Sequence, residues 1–247
     1  MNTAFFDAVR ETVFDGSLTQ DQGDGLNLII KTWEQMGDGD PRKLSYILAT
    51  AFHETARTMQ PVRETLAKTD AKAKEILTKS WRAGKLPWVK RDYWSSGFFG
   101  RGYVQLTWEA NYRKAGQKLG IDLVRQPELA LQPSIAAHIL VRGMMEGWFT
   151  GKKLSDYIGD KADYVNARRI VNGTDRAVMI AGYAAKFEQG LDQANFATLK
   201  PAQPQKPAPA PSAPPKAQTP AKDHYSLIGW LIALVIAIGV FAFIFTR

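Results

Sequence analysis

Apolar residues recur every three or four positions through most of the first 199 residues, the period of amphipathic helices. Phe5, Phe6, Val9, Val13 and Phe14 predict a helix over residues 3–14. Thr19-Gln20-Asp21-Gln22 reads as a capping box, and the helix behind it presents Leu26, Ile29, Ile30, Trp33 and Met36 until Gly37-Asp38-Gly39 ends it. A third helix starts at Asp40-Pro41 and is expected to reach Met59. Its broad apolar stripe is Leu44, Ile47, Leu48, Ala51, Phe52, Thr55 and Met59. Residues 66–86 predict a polar helix with a thin apolar face of Ile76, Leu77 and Trp81. Residues 109–119 predict another, with Gly120 as its C-cap. Pro133 opens a helix that turns Ile135, Ala136, Ile139, Leu140, Met144 and Met145 inward. A turn and a short helix fill residues 154–174, and Asp175 is expected to cap a last helix over residues 176–191.

Three stretches break this period. Residues 86–108 hold three Trp, two Tyr and two Phe among glycines, with little helical spacing. Aromatics in such a segment suit either a groove that stacks on sugar faces or a small core beneath a loop, and the groove is the expectation. Residues 200–222 contain eight Pro and no acid, a polyproline-type spacer that would span roughly 70 Å. Residues 227–245, from Leu227 to Phe245, carry no charge and are apolar on every side. At about 1.5 Å per residue they match a hydrocarbon core, so a transmembrane helix is expected. The domain boundaries that follow are 1–199 for the folded domain, 200–223 for the linker and 224–247 for the anchor.

Charge and composition narrow the chemistry. Of the net +8, half lies from Lys200 onward, leaving +4 on the folded domain. That excess suits an anionic polymer or a membrane surface, and without basic runs interleaved with aromatics it is not a nucleic-acid footprint. The chain has no cysteine, which excludes disulfides, thiolate catalysis and Cys metal sites. His53-Glu54 begins like HExxH, but Arg57 stands where the second ligand would be, so neither metal nor cofactor is expected. The N-terminal residues carry acids and no apolar h-region, so no signal peptide is expected. Glu54 lies at the edge of the third helix's stripe, where a half-buried carboxyl suits a general acid. His53 points the other way, towards solvent or a groove edge. A second carboxylate, Glu64 or Asp92, would complete the pair that glycoside hydrolysis needs.

The ordered segments FHET around Glu54, Gly100-Arg101-Gly102-Tyr103-Val104-Gln105-Leu106-Thr107-Trp108, Asn111-Tyr112 and Ile170-Val171-Asn172-Gly173 resemble the family 19 glycoside hydrolases. The likeness covers about residues 40–192, and the N-terminal helices resemble the bacteriophage endolysin branch. It implies a mainly α, lysozyme-like two-lobed helical domain with a cleft and a small irregular or β insert, followed here by the C-terminal transmembrane helix. It implies Glu54 as general acid and Glu64 as the base that activates water, with Asp92 in reserve. Gln105, Thr107, Asn172, Tyr103 and His53 would contact substrate, and Arg176 would stand near the acid pair. It also implies an inverting mechanism.

The resulting expectation is a phage or prophage endolysin that cleaves β-1,4 bonds of peptidoglycan glycan strands. It would be held to the bilayer of the bacterial inner membrane by residues 227–245 and depend on a holin or a membrane lesion for access. A chitinase acting on N-acetylglucosamine polymer is the alternative enzyme. A glycan-binding or virion structural module is the non-catalytic one.

Overall fold

The computed structural model describes residues 3–196. Among them are seven α-helices: α1 (Thr3–Thr12), α2 (Gln20–Met36), α3 (Pro41–Glu54), α4 (Asp70–Arg82), α5 (Glu109–Leu119), α6 (Pro133–Glu146) and α7 (Ala177–Gln193). A two-stranded antiparallel sheet joins β1 (Val62–Arg63) to β2 (Arg101–Gly102), with Val62 opposite Gly102 and Arg63 opposite Arg101. The chain is mainly α, as the apolar period predicts. No described helix is long and apolar enough to cross a membrane; the linker and residues 227–245 lie outside the described residues.

The helix boundaries follow their caps. Thr19 and Gln22 form the reciprocal capping box at α2, and Asp40 accepts from the Arg42 amide with Pro41 in the first turn of α3. Gly120 closes α5 in the left-handed conformation. The last helix departs from expectation. Its N-cap is Arg176 at φ 57°, no side chain caps it, and Asp175 does not serve.

α3 is the centre of the larger core. Leu44 through Phe52, and Glu54 after them, are buried on every side of this helix, so the one-sided stripe is replaced by an all-round interior element. It packs mainly on α7 and also touches α2 and α6. α3 also ends earlier than expected, at Glu54. Thr55 turns back on the helix, its hydroxyl donating to the Ala51 carbonyl (2.7 Å) and accepting from the Met59 amide (3.1 Å). Ala56, Arg57 and Met59 then take left-handed backbone angles. Residues of α2 hold this reversal: Gln22 Nε2 donates to the Arg57 carbonyl (3.0 Å), and the Gly25 backbone lies against the Met59 carbonyl.

A second, smaller core is built by α4 and the aromatic insert. It contains Ala73, Leu77, Leu86, Val89, Tyr93, Trp94 and Phe99, with Trp81, Trp88 and Trp108 packed around it. The expected sugar-stacking groove is therefore corrected to a small core: Tyr93 and Trp94 are 2% and 1% exposed. Two of the Trp indoles donate locally, Trp81 to the Val89 carbonyl and Trp94 to Thr78, whereas Trp88 Nε1 is buried without a protein partner. Buried Arg101 joins the two cores, donating to the Gly97 carbonyl, the Tyr112 hydroxyl and Asp70, with its guanidinium 4.0 Å from the Phe99 ring centroid.

A Cβ on Gly25 would sit 1.7 Å from the Met59 carbonyl oxygen, a backbone atom that cannot move aside alone. Gly25→Ala should cost about 3 kcal/mol of stability, read as a lower denaturant midpoint at unchanged slope.

Candidate active site

Two buried carboxylates flank the reversal after α3, each in its own polar socket. Glu54 is the last residue of α3, and its side chain is 1% exposed. Arg168, in a 3-10 turn over Asn166–Ile170, reaches it with Nη1 at 2.5 Å from Oε1 and is equally buried. Arg168 Nε donates to the Asp175 carbonyl (3.1 Å), which fixes the guanidinium plane. Arg168 Nη2, Tyr46 Oη and Asp175 Oδ2 are buried polar atoms with no protein partner. His53 stands half-buried at the rim of this socket, its basicity lowered by burial and influenced by Glu54, Arg168, Asp175 and Arg176.

Glu64 is 4% exposed and is clasped by one residue twice: its amide donates to the Gly100 carbonyl (2.7 Å), and the Gly100 amide donates to its Oε2 (2.8 Å). The Tyr93 hydroxyl donates to Oε1 in a short hydrogen bond. Burial pushes the Glu64 carboxyl up from the ordinary 4.5 to about 7, against the hydrogen bonds from Tyr93 and Gly100 and the charge of Arg101. Gly100 leaves no room for a side chain. A Cβ there would lie 2.6 Å from Gln105 Oε1 and 3.3 Å from Glu64 Oε2, so these two oxygens face one small space.

The remaining expected residues divide. Gln105, at φ 52°, spans β1 and β2 by donating to the Val62 and Gly102 carbonyls (both 3.1 Å), and its Oε1 is left without a protein partner beside the Glu64 socket. Thr107 donates to the Gln105 carbonyl (2.9 Å), bracing that loop. Asn172 accepts from the Gly173 amide (2.8 Å) and braces its own turn. Tyr103 is a correction: its ring is packed inside the larger core, 1% exposed, and its hydroxyl has no protein partner. Asp92 is another, since it accepts from the Ser95 amide (2.9 Å) as a turn residue while Glu64 is the carboxylate that is enclosed. Arg176 forms no ion pair with Glu54; Arg168, eight positions earlier, fills that place. Two residues were missed by sequence reasoning. Arg168 lies in Ala167-Arg168-Arg169-Ile170, just before the Asn172 motif, and the need of a buried Glu54 for a counter-charge was the signal available. Tyr93 carried no such signal. Among the described residues no group of three His, Cys, Asp or Glu side chains is placed to hold a metal.

Residues 38–154 match glycoside hydrolase family 19, chitinase class I, a stretch that contains both glutamates, Gly100 and Gln105. Residues 38–154 thus form a glycoside hydrolase family 19 domain. An endochitinase of Arabidopsis thaliana is 56% identical over 41 residues, 16% of each chain. The acidic 27 kDa endochitinase of Solanum lycopersicum is 59% identical over 34 residues, 14% of each. The aligned stretches therefore span about one-sixth of these relatives' length or less. Chitinase C from Streptomyces griseus HUT6037 aligns in structure over 78% of this chain and 76% of its own, at 19% identity and a TM-score of 0.45.

Two outcomes follow from the sockets. Removing Arg168 strands a buried carboxylate, so Arg168→Met should lose about 3–5 kcal/mol, and the double variant with Glu54→Gln should recover a large part of it in a denaturant double-mutant cycle. Between pH 4.5 and about 7 the folded protein holds a Glu64 proton that the unfolded chain releases, so stability falls as pH rises through that window. Gln at this position can accept from Gly100 and donate to the Tyr93 oxygen. Glu64→Gln should therefore be more stable than wild type at pH 8, by on the order of 2 kcal/mol, and level with it at pH 4. Thermal unfolding at the two pH values reads the difference.

Proposed function

We propose that this protein is a glycoside hydrolase that cleaves β-1,4 bonds in a polymer of N-acetylated glucosamine, of the chitin type, with Glu54 and Glu64 as the reacting pair. The observation that carries this reading is the contrast between the two buried carboxylates within the family 19 match: one faces an arginine, the other is tuned by burial to about 7. The named relatives are endochitinases, which favours chitin-type glycan as the substrate.

In this reading Glu54 takes up a proton before each turnover and gives it to the leaving glycosidic oxygen, and the ion pair with Arg168 is the state to which its carboxylate returns. Glu64 takes a proton from the attacking water. A carboxylate that ionises near 7 is a stronger base than an ordinary one. Gln105 Oε1, which shares the space over Gly100 with Glu64 Oε2, would orient that water or a substrate amide. The water enters on the face opposite the leaving group, so the product anomer is inverted.

Peptidoglycan is the second reading, and one feature favours it: the chain continues into a Pro-rich spacer and the 19-residue apolar run 227–245. A spacer and membrane anchor would hold the domain beside a bilayer, where a cell-wall polymer is at hand.

Full-length protein in mild detergent, given chitin oligomers and peptidoglycan in parallel, should release inverted products from the chitin oligomers. Glu54→Gln and Glu64→Gln should each lower kcat by about 10²–10⁴-fold. Products from peptidoglycan alone would transfer the proposal to the second reading, and binding without cleavage would leave a glycan-binding module. With Glu64 as base, kcat/KM should rise as pH climbs through about 7 and be lost below it. A profile that falls through the same pH would make Glu64 the proton donor.

A further inference from the structure

Tyr93 and Trp94 of the aromatic insert are too well buried to stack on sugars, yet the insert delivers one polar atom to the candidate site. Tyr93 is 2% exposed, held edge-on against Trp94 at 5.0 Å and tilted against Trp108 at 5.3 Å between ring centroids. Trp94 is in turn pinned to Thr78 of α4 and packs edge-on against Trp81. The turn that presents Tyr93 is closed by Asp92 accepting from Ser95 and by Ser96 donating to the Tyr93 carbonyl. Nothing in this packing requires a hydroxyl on the Tyr93 ring except Glu64, which accepts from it.

We infer that Tyr93 is a positioning residue that fixes the rotamer of Glu64 and holds it as a carboxylate, and that orienting this phenol is what the aromatic core of the insert is for. The inference rests on the reading of Glu64 as the reacting base. Geometry limits what else can do this. Oε2 is taken by the Gly100 amide, so Oε1 is the oxygen the phenol controls. The charged and titratable groups around Glu64 are Arg101 of β2, which favours the carboxylate; Tyr112 of α5, which feels the Glu64 charge; and Asp70 of α4, already paired with Arg63 and Arg101. Arg101 acts on Glu64 by charge alone, and its own hydrogen bonds go to Gly97, Tyr112 and Asp70. Against them stands burial, which favours the neutral acid. Without the phenol, one of the two hydrogen bonds to the carboxylate is lost while the burial stays.

The test is Tyr93→Phe in the full-length protein, which keeps the ring in the aromatic core. Tyr103→Phe serves as control, because it removes a buried hydroxyl that has no partner. The Glu64 side-chain carboxyl is titrated by carbon NMR, with the resonance assigned by its absence in Glu64→Gln, and kcat and KM are measured across pH. In Tyr93→Phe the Glu64 midpoint should move about one unit to higher pH. The rising limb of kcat should move with it, lowering kcat at pH 6 about tenfold with KM within twofold. Tyr103→Phe should leave the midpoint in place. An unmoved midpoint in Tyr93→Phe, or a kcat loss equal at every pH, would overturn the inference and leave Tyr93 as packing alone. If the wild type cleaves no glycan, the proposed function fails, and the NMR titration still decides whether Tyr93 controls the Glu64 charge.

Discussion

A carboxylate at the buried C-terminal end of the central helix is the constraint on which this structure depends. Glu54 sits at the pole of α3 where the unpaired carbonyls point, so the helix dipole opposes a negative charge there. Water is excluded, which removes the usual compensation. Arg168 supplies both a counter-charge and a hydrogen bond, but only if the turn over Asn166–Ile170 is brought against α3. The junction before α7 is shaped by this demand: Arg168 also grips the Asp175 carbonyl, and the next residue, Arg176, takes a left-handed conformation to start the helix that packs along α3. The ion pair thus ties the acid's position to the docking of α7, the largest packing partner of the central helix.

The second carboxylate is governed by the opposite balance. Glu64 has no arginine in hydrogen-bond contact; it has two neutral donors and the more remote charge of Arg101. Neutral donors only partly offset burial, and the group ionises near neutrality. Two glutamates ten residues apart are in this way given different chemistry by what surrounds them. The connection between them carries the conformational cost. Ala56, Arg57 and Met59 within it, and Thr65 and Leu66 just after Glu64, adopt positive φ without being glycine, each at about 1–2 kcal/mol. Hydrogen bonds from Gln22 and Gln60, the Arg57–Asp15 pair and the β1–β2 pairing hold this chain in place. Such strain beside two enclosed carboxylates is expected where geometry is over-determined by the scaffold.

How much of this was legible in the sequence depended on whether a local rule was in force. The caps of α2 and α3, the Gly120 stop and the α6 start were readable because Thr19, Asp40, Gly120 and Pro133 act within one turn. The end of α3 was not, because Thr55 and Met59 are as buried as the stripe predicted, and burial alone does not distinguish a helical turn from a left-handed reversal. Glu54 and Glu64 became candidates through the motif order, with Asp92 kept beside Glu64 until the structure showed which carboxylate is enclosed. Arg168 was obscured by Arg169 beside it and by the choice of Arg176, since partners 114 residues apart in sequence leave no periodic trace. The aromatic insert was legible as irregular and misread as a groove, because the same residues serve a small core when α4 offers Ala73 and Leu77 to cover them.

That small core explains why so much aromatic mass is spent on so short a segment. A segment of this length with little regular secondary structure cannot hold a side chain to sub-ångström precision by backbone hydrogen bonds alone. Interlocked indole rings can, since each loses little rotamer entropy and contacts several others. Arg101 makes the arrangement common property of both cores: it holds the insert at Gly97, α4 at Asp70 and α5 at Tyr112, one strand residue away from Gly100, which grips Glu64. Disturbing the insert therefore reaches Glu64 by two routes, through Tyr93 directly and through Arg101 and Gly100 behind it. The Glu54 socket, built on α3 and the turn of Arg168, shares neither route, so the two carboxylates are positioned by separate parts of the fold.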